Sequence, residues 1–144
     1  MKNLKIYCDT NVLIDYLSAD RPCSGTVRRL FNLLYSIKMQ PCVSTQSIVD
    51  AAYIMCQSYK CPVELFRESI KKLIPDLSLV YVTKVDILEA TGKTDSDFED
   101  MVQIACARRN GCNVIVSSDR KYKRYTDIDV YTPEEFVARV TGSN

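Results

Sequence analysis

The chain has 144 residues, about one ordinary domain, with 47% apolar residues, 19 basic and 18 acidic side chains and a net charge of +1. That balance excludes a global field that draws in nucleic acid, so any basic surface is local. Histidine is absent, which removes the commonest general base, the Ser-His and Cys-His nucleophile arrangements and zinc sites of mixed Cys/His type.

In chain order, residues 4–8 read as a short apolar strand ending at Asp9-Thr10-Asn11, and residues 12–18 as a short helix closed by Ala19-Asp20-Arg21-Pro22. Residues 24–38 form a helix with Val27, Leu30, Phe31 and Leu34 on one face. Pro41-Cys42-Val43 is a strand, and Ser44-Thr45 offers an N-cap for a helix reaching about residue 59. A helix over 63–74 stops before Pro75, a strand covers Leu77 to Val82, and Thr83-Lys84-Val85-Asp86 resembles a capping box. Residues 92–96 are a loop, followed by a helix from about 97 to 110 that ends at Asn110-Gly111. Residues 113–118 are the most strand-like stretch; a polar loop, an edge strand at Val130-Tyr131 and a Pro-initiated helix from Thr132-Pro133 complete the chain.

Strands separated by helices predict one domain over residues 1–144, a three-layer α/β/α sandwich with a mostly parallel central sheet. Seven scattered cysteines without a C-x-x-C pair read as reduced core thiols in a cytoplasmic setting. No apolar run approaches the ~18 residues of a membrane span.

Four acids carry the functional argument. Asp9 and Asp119 both follow strands at their C-terminal ends, where open α/β sheets bind ligands. Asp50 is the polar residue of an otherwise apolar helical run, Ile48 to Cys56, with no basic residue within one turn. A helix that apolar is expected to be buried on most of its surface. Asp100 opens another apolar helix, with Asp97 one turn earlier on the same face. Isolated buried carboxylates cost several kcal/mol or neutralise themselves, unless a cation holds them together. Each acid also has a plainer reading, as an N-cap, a helix-dipole partner or a solvated side chain. Glu99 is expected to point away toward solvent.

These stretches resemble the PIN domain family. Tyr7-Cys8-Asp9-Thr10-Asn11-Val12-Leu13-Ile14-Asp15 looks like its opening, Ser44 through Asp50 its second motif, Asp97-Phe98-Glu99-Asp100-Met101-Val102-Gln103-Ile104-Ala105 its third and Val116-Ser117-Ser118-Asp119 its fourth. The resemblance spans the chain in order and implies a Mg²⁺- or Mn²⁺-dependent endoribonuclease of the toxin type. By motif position it implies metal ligands Asp9, Asp50, Asp100 and Asp119, with Asn11 and Ser117 in support and Asp97 as an outer ligand. The family's second acid is usually Glu, so Asp50 is shorter by one methylene. The implied partners are an RNA substrate, an antitoxin protein and a second protomer, met on uncovered faces of the helices at 24–38, 48–56 and 63–74.

The basic segment Arg120-Lys121-Tyr122-Lys123-Arg124-Tyr125 beside Asp119 reads as a substrate contact, its cations on phosphates and its aromatics on unpaired bases. The alternative function is a catalytically silent PIN-like module that binds RNA or protein. A receiver-like signalling domain fits poorly, because neither Pro41-Cys42-Val43 nor the strand at 77–82 ends in the Asp such a domain needs.

Overall fold

The computed structural model describes residues 4–94 and 96–142, and Asp95 of the loop at 92–96 lies outside them. Five short strands, β1 (Ile6–Cys8), β2 (Cys42–Ser44), β3 (Ser78–Val80), β4 (Val114–Val116) and β5 (Asp129–Tyr131), form one sheet. Its order is β3-β2-β1-β4-β5 and every pairing is parallel, so the sheet is more uniform than the mostly parallel one expected. Parallel strands need crossover connections, and helices supply them on both faces. β1, β2 and β4 are buried along their whole length; β1 and β4 are apolar throughout, and the buried Ser44 that ends β2 caps the next helix.

Side chains alternate between two core layers. Ile6, Cys8, Val114 and Val116 join one layer with α1 (Thr10–Leu17), α2 (Ser24–Ser36), α3 (Thr45–Tyr53), α4 (Val63–Leu73) and α8 (Pro133–Thr141). Tyr7 and Ile115 join the other, with residues of α5 (Lys84–Thr91) and α6 (Phe98–Arg109). The expected α/β/α sandwich is the observed one.

Local chemistry sets the helix limits. α1 begins two residues earlier than expected because Asp9 itself is its cap, accepting from the Val12 N–H at 3.0 Å. Ser44 caps α3 by accepting from Ser47 N at 3.0 Å, as expected. The long helix expected to reach about 59 changes character after Tyr53, where a π-helical turn covers Ile54–Ser58. Beyond Leu73, Pro75 lies in a 3-10 turn over Ile74–Asp76. Gly111, at φ +73°, follows α6 in the left-handed conformation that a helix end favours. One element went unanticipated: a single helical turn, α7 (Tyr122–Tyr125), inside the expected polar loop.

Candidate active site

β1 and β4 lie side by side, with Cys8 opposite Val116. The chain builds β2 and β3 on one side of this pair and β5 on the other, so the crevice beyond their carboxyl ends is the topological switch point. Asp9 leaves β1 there, anchored by its own N–H on Val116 O at 3.2 Å. Ser117 leaves β4, is 1% exposed, and donates from Oγ to Asp9 Oδ2 at 2.5 Å. The same Ser117 oxygen accepts from Asp119 N at 3.0 Å, and Asp119 Oδ1 accepts from Lys121 N at 2.9 Å. One serine therefore fixes two acids from neighbouring strands.

α6 brings the next pair. Asp97 is its N-cap, accepting from Asp100 N at 3.2 Å, so the plainer reading of Asp97 describes its contacts. Glu99 and Asp100 follow in the first turn. Asp9, Glu99, Asp100 and Asp119, with Thr10, Asn11 and Tyr122, line one cleft of about 40 Å³, the scale of an ion or a water or two.

Behind the cleft runs a buried polar chain. The Tyr7 hydroxyl hydrogen-bonds Gln103 Oε1, Gln103 Nε2 donates to Ser47 Oγ at 3.3 Å, and Ser47 Oγ pairs with Thr10 Oγ1 at 2.8 Å. β1, α1, α3 and α6 are thereby held together, and Thr10 at one end of the chain also lines the acid cleft.

One expectation needs correction. Asp50 does not line the acid cleft. It is half-buried, accepts from Gln46 Nε2 at 2.9 Å, and lines an adjoining cleft of about 300 Å³ with Val82, Ile87 and Phe98. Its partner is an amide one turn earlier, and α3 is not buried on most of its surface, since Val49 and Tyr53 stand 64% and 69% exposed. Glu99 is exposed, as expected, and also lines both clefts. The reason is helical spacing: Gln103, four residues on, reaches Ser47 on α3, so Glu99 presents itself to α3 from the same face.

The basic residues Arg120, Lys121, Lys123 and Arg124 are all exposed beside Asp119. Tyr122 between them is buried, 2% exposed, and so is not free to stack on a base.

The electrostatics follow from crowding. Burial pushes the Asp9 carboxyl up to about 6; Ser117 and the Val12 N–H pull it down, and Asp100 and Asp119 push it up again. Asp100 also rises to about 6, through burial first and then Asp97 and Asp119, while a hydrogen bond from Tyr122 opposes the rise. Burial and the charges of Asp50 and Asp97 raise Glu99.

The donor set is oxygen alone, which suits a hard divalent cation such as Mg²⁺ or Mn²⁺. Each oxygen of Asp9 keeps a lone pair beyond its present hydrogen bond. Among the described residues no three Asp, Glu or Cys side chains stand ready around a single point. The fit is thus one of donor chemistry and placement rather than of finished coordination geometry.

A parallel sheet with helices on both faces defines an α/β/α protein, and four acids line a cleft beyond the switch point of its strand order. The family described as PIN domain matches residues 5–121, and the chain belongs to that family. It is similar to ribonuclease VapC1 of Aquifex aeolicus (strain VF5), 26% identical over 96% of this chain and 97% of the relative. Its fold resembles that of Mycobacterium tuberculosis VapC20, a sarcin-ricin loop cleaving toxin (TM-score 0.67, 16% identity, 84% of this chain and 95% of that one). It also resembles a toxin-antitoxin complex from Klebsiella pneumoniae (TM-score 0.65, 14% identity, 90% and 98%).

Proposed function

We propose that this chain is a divalent-metal-dependent endoribonuclease and the toxin of a toxin–antitoxin pair. The observation that carries the reading is the meeting of Asp9, Glu99, Asp100 and Asp119 in one cleft, from β1, α6 and the loop after β4. The relative named as a ribonuclease supports the substrate class. A bound Mg²⁺ or Mn²⁺ would supply an activated water and neutralise charge on the phosphodiester.

The chain's own residues do the rest. Asp9, Asp100 and Asp119, joined by Glu99, would hold the cation. Ser117 fixes the orientation of Asp9 and, through its contact with the Asp119 N–H, the loop after β4. Asn11, exposed on the rim, orients a water or a phosphate oxygen. Arg120, Lys121, Lys123 and Arg124 attract the RNA backbone. Asp97 acts through its cap on α6, and Asp50 through its charge on Glu99.

Partner surfaces fit the same reading. A groove of about 900 Å³ between the α1–α2 loop and α4, lined in part by Leu17, Met55 and Leu65, suits an antitoxin segment. Exposed Val49 and Tyr53 of α3 suit a second protomer. Seven free cysteines suit a reducing, cytoplasmic setting. Among the described residues no helix is long and apolar enough to cross a membrane.

The test is cleavage of single-stranded RNA by purified protein in Mg²⁺ or Mn²⁺, abolished by EDTA. Cleavage that survives EDTA would sink the mechanism. The second reading, a silent PIN-like binding module, draws on the position of Asp50 outside the acid cleft. Mn²⁺ titration followed by thermal unfolding separates the two: a competent site is stabilised by mass action, and a silent one does not respond.

A further inference from the structure

The buried polar chain behind the cleft has a direction. The Tyr7 O–H donates to Gln103 Oε1, which leaves the other end of that amide, Nε2, to donate to Ser47 Oγ at 3.3 Å. Ser44 Oγ donates to the same Ser47 oxygen at 3.1 Å. A hydroxyl has two lone pairs and one proton. Both lone pairs of Ser47 are thus occupied, and its proton goes to Thr10 Oγ1, 2.8 Å away. Ser44, Ser47 and Gln103 are buried, so water does not compete for these places. Thr10 therefore accepts from Ser47 and keeps its own proton to give. Among the described residues no other group takes that proton. Thr10 opens α1, is 7% exposed and lines the cleft with Asp9, Glu99, Asp100 and Asp119. Ionised carboxylates only accept, so the cleft combines four acceptors with one neutral O–H whose direction is set from behind.

We propose that Thr10 is a substrate-contacting residue: its O–H, turned from the core by the bond it accepts from Ser47, donates to a nonbridging oxygen of the phosphodiester in the cleft. A nearly buried donor without a partner is unfavourable, and an anionic oxygen is the acceptor that makes the strongest bond with it. Asn11 reaches the same cleft from the exposed rim, whereas Thr10 reaches it from the buried side. This role rests on the reading of the acids as a divalent-cation site that cuts RNA.

The test uses the full chain as wild type, Thr10→Val, Thr10→Ser and Ser47→Ala. Mn²⁺ binding is followed through the electron paramagnetic resonance signal of free Mn²⁺. Dimethyl phosphate, a phosphodiester without sugar or base, is then titrated onto the Mn²⁺-loaded chain and followed by phosphorus nuclear relaxation. Thr10→Val keeps the shape and removes the hydroxyl. It should bind Mn²⁺ as wild type does and lose about 10-fold in dimethyl phosphate affinity, the usual effect of removing a hydrogen bond to a charged group. Thr10→Ser restores the donor and should bind both as wild type does. Ser47→Ala leaves the Thr10 hydroxyl in place but free to turn. It should lose about 3-fold in dimethyl phosphate affinity, and it carries the test if Thr10→Val does not fold. Equal dimethyl phosphate affinity in wild type and Thr10→Val would overturn the role of Thr10 and leave the acid site standing. A matching loss of Mn²⁺ affinity in Thr10→Val would also overturn it, since the hydroxyl would then serve the acids. A wild-type chain that takes up no Mn²⁺ would remove the acid-site reading, and the role of Thr10 with it.

Discussion

Asp9 is both a helix cap and the most enclosed acid of the cleft, 4% exposed. Burial lifts its carboxyl to about 6, and Asp100 rises to about 6 with it. A carboxyl whose folded pKa exceeds its unfolded value holds more protons when folded over the interval between them. Stability therefore falls as pH rises from about 4 to about 6 in chelator. Glu99 contributes with the same sign. Asp9→Asn removes the charge and keeps the cap, so at pH 7 without metal it should be more stable than wild type, by about 1–3 kcal/mol in denaturant unfolding. A less stable variant would show that Asp9 is held by favourable contacts alone. A bound cation should invert the order, since wild type gains from Mn²⁺ and Asp9→Asn does not. Glu99→Gln should lower cleavage by about 10–100-fold, whereas Asp50→Asn should change it little; rates measured side by side decide between the two acids.

At the scale of elements, α3 and α6 meet through Gln103 and Ser47, and the acids stand on the ends they bring together. Gln103→Leu would leave the Tyr7 hydroxyl without its amide acceptor in the core, a loss of about 1–3 kcal/mol measurable by denaturant unfolding. Unchanged stability would mean that the chain Tyr7–Gln103–Ser47–Thr10 does not hold the two helices. Much of this architecture was legible beforehand. Asp9 at a strand end, Ser44 as a cap and Asn110-Gly111 after α6 carry their structural meaning in residue type. Glu99 is exposed, as expected, and its place beside both clefts follows from its spacing to Gln103, because residues four apart share a helix face. Asp50 departs from expectation for another reason. The apolar run from Ile48 to Cys56 implies a buried helix, but Val49 and Tyr53 face outward, and sequence does not distinguish a core face from one reserved for a partner. α7 is not legible in sequence because one turn has no periodicity, and Tyr122 is buried by tertiary placement beside Met101 and Ile115.

For the whole molecule, alternating strands and helices fixed the class, while the strand order β3-β2-β1-β4-β5 emerges only from three-dimensional pairing. That order puts β1 beside β4 and makes two distant sequence motifs into neighbours. The exposed apolar side chains of α3 belong to this scale as well. If they meet a second protomer, light scattering after size exclusion should give a dimer for wild type and a monomer for the double variant Val49→Asp, Tyr53→Lys. A monomeric wild type would leave that face to another partner. The central claim is that the four-acid cleft is where a divalent cation cuts RNA. It is tested most directly by incubating one single-stranded RNA with wild type and Asp9→Asn in the same Mn²⁺ buffer and comparing initial rates. Cleavage by wild type and none by Asp9→Asn is the predicted result; equal cleavage by both would contradict it.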